Sequence, residues 1–315
     1  MSLFTKLQPI IIIMSALLGL LLGYATPIGG YSVHWIEPSL MVLLYFVFIS
    51  VDGKKLKQSF GNKKFTLTAL TINFIWTPIF AYVLGLLFFN GSTDLRMGLL
   101  MLLVTPCTDW YLVFTALSDG NVELGASILP LNLLLQILLL PFYIFLFFGG
   151  SVSMSARDVL SSILIVLLIP FLISFGTKLL GKSSAKWKSR EEWLKEAGDN
   201  GQLLFLCLAV IFMFASESQE VFAHPILLLE MLIPLAIFFV VNFLVVRFIG
   251  KKENLPTKDI ISLNFTTLAR NSPLSLAIAV AAFPNQPLIS LALVIGPLIE
   301  LPALGIISGI IKKLK

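Results

Sequence analysis

The sequence predicts an all-α integral membrane protein: ten transmembrane helices folded as two inverted five-helix repeats, with a broken helix at the same place in each. Three observations predict it. Apolar runs of about 20 residues, the length that crosses a hydrocarbon core, recur along a chain that is 57% hydrophobic and only 12% charged. The cations are distributed unevenly between the polar intervals. Two of the runs are interrupted by a proline close to a charge, at Val104-Thr105-Pro106-Cys107-Thr108-Asp109-Trp110 and at Leu268-Ala269-Arg270-Asn271-Ser272-Pro273.

The apolar runs place spans at about 8–25, 35–51, 65–89, 95–118, 122–149, 158–180, 200–215, 222–248, 258–283 and 287–311. With those spans, 19 of the 22 Lys and Arg fall on one side, Arg96 and Arg157 mark the other, and Arg270 is left inside span nine. The positive-inside rule then puts both termini in the cytoplasm of a multi-pass cell-membrane protein. The net charge of +5 is thus a topology signal and does not point to nucleic acid. The longest polar interval runs only from Gly181 to Asn200, which excludes a soluble catalytic domain. Cys107 and Cys207 both lie in apolar runs, so neither a disulfide framework nor a paired-cysteine zinc site is indicated.

Spans one and two carry small residues, Gly19 and Gly23, that allow close helix approach. Span three holds Asn73 and Thr77-Pro78, where a kink is expected. In span four Pro106 cannot donate a backbone hydrogen bond and biases Thr105 away from helix, so the helix stops and restarts. A carboxylate such as Asp109 at mid-membrane costs roughly 2.5–3.5 kcal/mol on insertion scales, so it is expected to be paired, protonated or solvated. Span five follows the tight turn Ser118-Asp119-Gly120-Asn121. It brings Glu123 near its start and Asn132 and Gln136 four residues apart on one face, as helix glue or as the lining of a path.

The second half, residues 157–311, repeats the layout of 8–149 with five more spans. Because five is odd, it must run oppositely through the bilayer. Residues 181–199 read as a cytoplasmic linker on the anionic leaflet. Span eight carries Glu230 and Pro234, and span ten Gly296-Pro297 with Glu300. In span nine, Asn271, Ser272 and Ser275 surround Pro273, where a half-helix start would aim free N–H groups at the break. Discontinuous helices at matching positions of inverted repeats point to a secondary transporter with a midplane site. Arg270 and Asp109 in the two breaks are placed to meet as an ion pair.

At these residues the chain resembles the arsenite efflux permeases of the bile acid:sodium symporter superfamily. Cys107, Gly120, Glu123-Leu124, Leu131-Asn132 and Gln136 resemble the pattern around the permeases' functional cysteine. Leu276-Ala277-Ile278-Ala279-Val280-Ala281 and Val294-Ile295-Gly296-Pro297-Leu298-Ile299-Glu300 resemble their last two spans. The resemblance implies a core domain of spans three to five and eight to ten, where the broken helices cross, beside a panel domain of spans one, two, six and seven. It implies alternating-access export of arsenite or antimonite, without a cofactor or permanent metal, with protons as the coupling ion and sodium disfavoured.

On that reading Cys107, Thr108, Asn271, Ser272 and Ser275 contact substrate. Asp109, Arg270, Glu123 and Glu300 serve ion or proton coupling, Pro106 and Pro273 break the helices, and Asn132 and Gln136 give polar support. Trivalent arsenic is soft and favours sulfur, which makes Cys107 the informative residue. Three departures stand out. Ser275 occupies the place of a permease glutamate. Arg270-Asn271-Ser272 resembles the Gln-Asn-Ser of the sodium-coupled branch. That branch's carboxylate and Ser-Asn pair are replaced by Thr266 and Tyr111-Leu112. A small-organic-anion carrier using Arg270, and a membrane receptor without transport, are the alternatives.

Overall fold

The computed structural model describes residues 3–50, 61–107, 111–149, 156–181, 185–216, 218–223 and 225–313. The described residues are helical throughout, with one isolated β-bridge. The helices are α1 (Leu3–Ala25), α2 (Ile28–Ser50), α3 (Lys63–Phe88), α4 (Thr93–Leu103), α5 (Tyr111–Leu117), α6 (Val122–Phe148) and α7 (Ala156–Gly181). They continue with α8 (Ala185–Glu196), α9 (Gly198–Ser216), α10 (Ser218–Ala223), α11 (Pro225–Lys252), α12 (Thr257–Leu268), α13 (Ser272–Ala282) and α14 (Pro287–Lys313). Among the described residues four helical stretches are long and apolar enough to cross a membrane: α3, α6, Leu229–Lys252 of α11, and α14.

The chain divides into two compact units. One contains α1, α2, α7–α10 and Leu276–Pro287. The other contains α3–α6, α11 from Ile226, α12, Ser272–Ser275 and α14 from Leu288. In the first unit α1 lies close against α9. A Cβ built on Gly19 would stand 2.5 Å from the carbonyl oxygen of Ile211, and one on Gly23 would strike the carbonyl of Ala215. These two glycines are therefore the contact itself, since any larger side chain would push the backbones apart. At the other end of this unit Lys178 Nζ donates to the carbonyl of Phe48 at 2.9 Å. Residues 181–199, read from sequence as a linker, contain α8, where Arg190 lies over the ring of Trp187.

The second unit is built inside out relative to a soluble domain. On α6, Leu134, Leu138, Phe142 and Leu146 form an exposed stripe at four-residue spacing, while Asn132 and Gln136 are fully buried. An apolar exterior over a polar interior is what a lipid solvent selects. Phe65, Ile72, Ile128, Val246, Ile260 and Leu263 join α3, α6, α11 and α12 in one apolar cluster. The turn before α6 is tied to α12: Asn121 Nδ2 donates to Asp259 Oδ1 at 2.8 Å, and Ser262 Oγ donates to the carbonyl of Asn121 at 2.7 Å.

Two expectations are adjusted. Helix α3 does not merely kink at Pro78. It passes through a π-helical turn at Ile72–Trp76 immediately before it, which holds the fully buried Asn73, and the Phe74 carbonyl, four residues before the proline and denied its N–H, accepts from the Tyr143 hydroxyl at 2.6 Å. Helix α2 begins at Ile28, seven residues before the expected span, because Thr26 Oγ1 accepts from the Ile28 N–H and starts the helix among glycines that sequence alone reads as loop.

Candidate functional site

The two breaks meet. Pro106 and Arg270 form an antiparallel β-bridge. The Cys107 N–H donates to the carbonyl of Ala269 at 2.9 Å, and the Asn271 N–H donates to the carbonyl of Thr105 at 2.7 Å. A short extended pair of this kind satisfies backbone that has left its helix without water, which irregular backbone at membrane depth requires.

The helix ends at this pair follow from the same requirement. An α-helix leaves its last four carbonyls without intrahelical donors, and α4 and α12 both end here, buried. In α4, the carbonyl of Leu100 accepts from the Val104 N–H. That of Met101 lies 2.8 Å from Ser275 Oγ and 3.0 Å from Thr105 Oγ1, that of Leu102 lies 3.2 Å from Thr105 Oγ1, and that of Leu103 accepts from Arg270 Nη1 at 2.7 Å. In α12, the carbonyl of Phe265 accepts from the Ala269 N–H, and that of Thr266 from Asn73 Nδ2 at 3.3 Å. The carbonyl of Thr267 accepts from Asn242 Nδ2 at 3.3 Å and from Arg270 Nη2, and that of Leu268 accepts from Arg270 Nε at 3.2 Å. All eight carbonyls have donors, and one arginine serves both helices.

Arg270 is 3% exposed. Its Nη2 also reaches Asn73 Oδ1 at 3.3 Å, and the guanidinium carbon stands 5.1 Å from the centre of the Phe238 ring. Four of the five guanidinium N–H groups are engaged by these acceptors. The backbone N–H of Arg270 donates to Glu300 Oε1 at 3.0 Å, which brings a buried carboxylate from α14 to the same point. Close approach of α4 and α14 makes room for this: a Cβ on Gly98 would stand 2.6 Å from that of Ala292, and one on Gly296 2.5 Å from Leu102 Cδ1.

Of the residues singled out from sequence, Pro106, Cys107, Arg270, Asn271, Ser275 and Glu300 are brought together here. Cys107 is buried. Asn271 caps α13, its Oδ1 accepting from the Leu274 N–H at 3.3 Å, and Ser272 is buried at that helix start, with Pro273 next in the helix. Ser275 Oγ lies 2.7 Å from Thr105 Oγ1. Thr108 and Asp109 lie outside the described residues, so the expected Asp109–Arg270 pair does too. Glu123 is exposed in the first turn of α6, where a negative charge suits the helix N-terminus. Asn132 Nδ2 donates to Thr266 Oγ1 at 3.2 Å, while its Oδ1 and both polar atoms of Gln136 have no hydrogen-bond partner among the described residues.

Sequence reasoning undervalued Asn73 and missed Phe238. Asn73 is an amide alone in an apolar run four residues before a proline-linked threonine, a signal that was legible. A phenylalanine among 26 carries none.

A model of the Sodium Bile acid symporter family matches residues 37–258. The chain belongs to this family. Its relatives include the arsenical-resistance protein Acr3 of Corynebacterium glutamicum, 26% identical over 96% of this chain and 87% of the relative, and the uncharacterized protein YbaS of Bacillus subtilis, 26% identical over 93% and 92%. The arsenical-resistance protein Acr3 of Alkaliphilus metalliredigens is 19% identical over 84% and 77%. As a family member the chain is a multi-pass membrane protein and a secondary transporter, and not an enzyme.

Proposed function

We propose that the chain exports arsenite or antimonite by alternating access in exchange for protons. On this reading it has ten spans in two inverted repeats and lies in the cell membrane with both termini cytoplasmic. The observation that carries the reading is the position of Cys107, a thiol held by its own N–H at the bridge between two half-helices. One sulfur suits a soft trivalent metalloid that must bind and leave again. The hydroxyl groups of such a cargo would find acceptors and donors in Asn271, Ser272, Ser275, the amide oxygen of Asn132 and the amide of Gln136. Similarity along most of the chain to two arsenical-resistance proteins supports the cargo class.

Glu300, hydrogen-bonded to the Arg270 N–H, and Asp109 are the proton carriers of this proposal. The organic-anion alternative needs the Arg270 guanidinium as its anion-binding group. With four of its five donors engaged by carbonyls and Asn73, that reading loses its cation.

Everted membrane vesicles containing the protein are expected to accumulate arsenite when a proton gradient, acid inside, is imposed, and to ignore an organic sulfonate. Vesicles that take up the sulfonate and not arsenite would overturn the assignment.

A further inference from the structure

We propose that the Arg270 guanidinium is a tethered cation. It fills a monovalent-cation site that the fold builds from the carbonyl ends of α4 and α12 and the amide oxygen of Asn73, so that this carrier requires no free cation there. The inference rests on the reading of the chain as a carrier working at its paired breaks. It goes beyond that reading by assigning a site and its permanent occupant.

Four oxygens surround the guanidinium: Leu103 O at 2.7 Å, Leu268 O at 3.2 Å, Asn73 Oδ1 at 3.3 Å, and Thr267 O. They come from α3, α4 and α12, three segments distant in sequence, so the cage is a product of the tertiary fold. Each helix C-terminus carries roughly half a negative charge. Two converging ends therefore present about one, which a single positive charge balances. Half-helix C-termini and unwound carbonyls are the groups with which transporters of discontinuous helices hold small cations.

Here the positive charge belongs to a side chain that keeps its proton in proteins and is 3% exposed, with its face on Phe238. Glu300 adds a carboxylate through the backbone N–H of the same residue. A charge fixed by covalent attachment cannot enter or leave during a transport cycle, so no gradient of a free ion can be drawn through this site. Removing the side chain would leave inward-pointing carbonyl oxygens without a donor, a demand that a small free cation can meet.

The test is thermal unfolding of the purified full-length protein in detergent at constant ionic strength. Choline, potassium and sodium chloride are compared, each with and without low-millimolar guanidinium chloride. Wild type is expected to melt at one temperature in all of them. Arg270→Ala is expected to melt several degrees lower in choline and to recover most of the loss, saturably, in sodium or guanidinium. Arg270→Lys, which keeps the charge, is expected to show no cation dependence. Saturable stabilisation of wild type by sodium would overturn the inference, and so would an alanine variant that no cation restores. An alanine variant that stays unfolded in every buffer overturns it equally, whether or not the lysine variant folds, because no free cation then replaces the tethered one. No substrate is present in this assay, so its outcome is independent of the arsenite experiment.

Discussion

The two helix breaks pair with each other at one short β-bridge, yet they meet their hydrogen-bonding needs by different means. The break after α4 is served largely by hydroxyls: the single Thr105 hydroxyl proton turns back towards the carbonyls of Met101 and Leu102, and Ser275 Oγ donates to Met101. The break after α12 depends on others, taking donors from Asn73 on α3 and Asn242 on α11. Arg270 bridges the two, donating to Leu103 on one side and to Thr267 and Leu268 on the other. Two buried helix ends at one point therefore need not share one chemistry. A proline can set where a helix ends, while the donors that satisfy that end come from whichever side chains the packed neighbours bring.

The difference is broken most directly by removing the shared donor. In choline buffer Arg270→Met is expected to cost about 3–5 kcal/mol, because it strands acceptors at both helix ends and leaves Glu300 beside an uncompensated site. Chemical unfolding followed by tryptophan fluorescence measures it, and a loss under about 1 kcal/mol would mean that each break stands alone. A smaller effect isolates the hydroxyl-served side. Thr105→Val keeps the shape and removes the hydroxyl, with an expected loss of about 1–3 kcal/mol by the same measurement.

The orphaned amide of Gln136 sharpens the comparison in the opposite direction. Gln136→Leu is expected to raise stability by about 1 kcal/mol, since a buried group without partners among the described residues is replaced by an apolar one. Arsenite transport is expected to fall if that amide lines the path, and unchanged transport would return Gln136 to a structural role. The smallest stability effect is expected at Cys107→Ser, within about 1 kcal/mol because its backbone bond to Ala269 survives the change. Arsenite uptake by everted vesicles should nevertheless drop by an order of magnitude or more. Undiminished uptake would remove sulfur from the mechanism.

Much of this was legible beforehand because a membrane makes each polar residue conspicuous. Pro106 and Pro273 marked both breaks, and Arg270, Asn271, Ser275 and Glu300 stood out against aliphatic surroundings. What those residues do to one another was not legible. Spacing offered Arg270 a partner in Asp109, which lies outside the described residues, or in a substrate anion. Its engagement with carbonyls depends on two helix ends arriving at one point, which no local pattern encodes. Asn73 shows the same limit: its type and position were visible, but its orientation depends on the π-helical turn that houses it.

The sequence by itself determined the solvent and the helices. Apolar run length sets which segments can cross a bilayer, and proline's missing N–H sets where two of them must stop. Tertiary structure alone decided that the two stops pair through Pro106 and Arg270 and that one guanidinium caps both ends. The physical reason is that unsatisfied carbonyls in a dry interior accept any donor in reach, and reach is a property of packing.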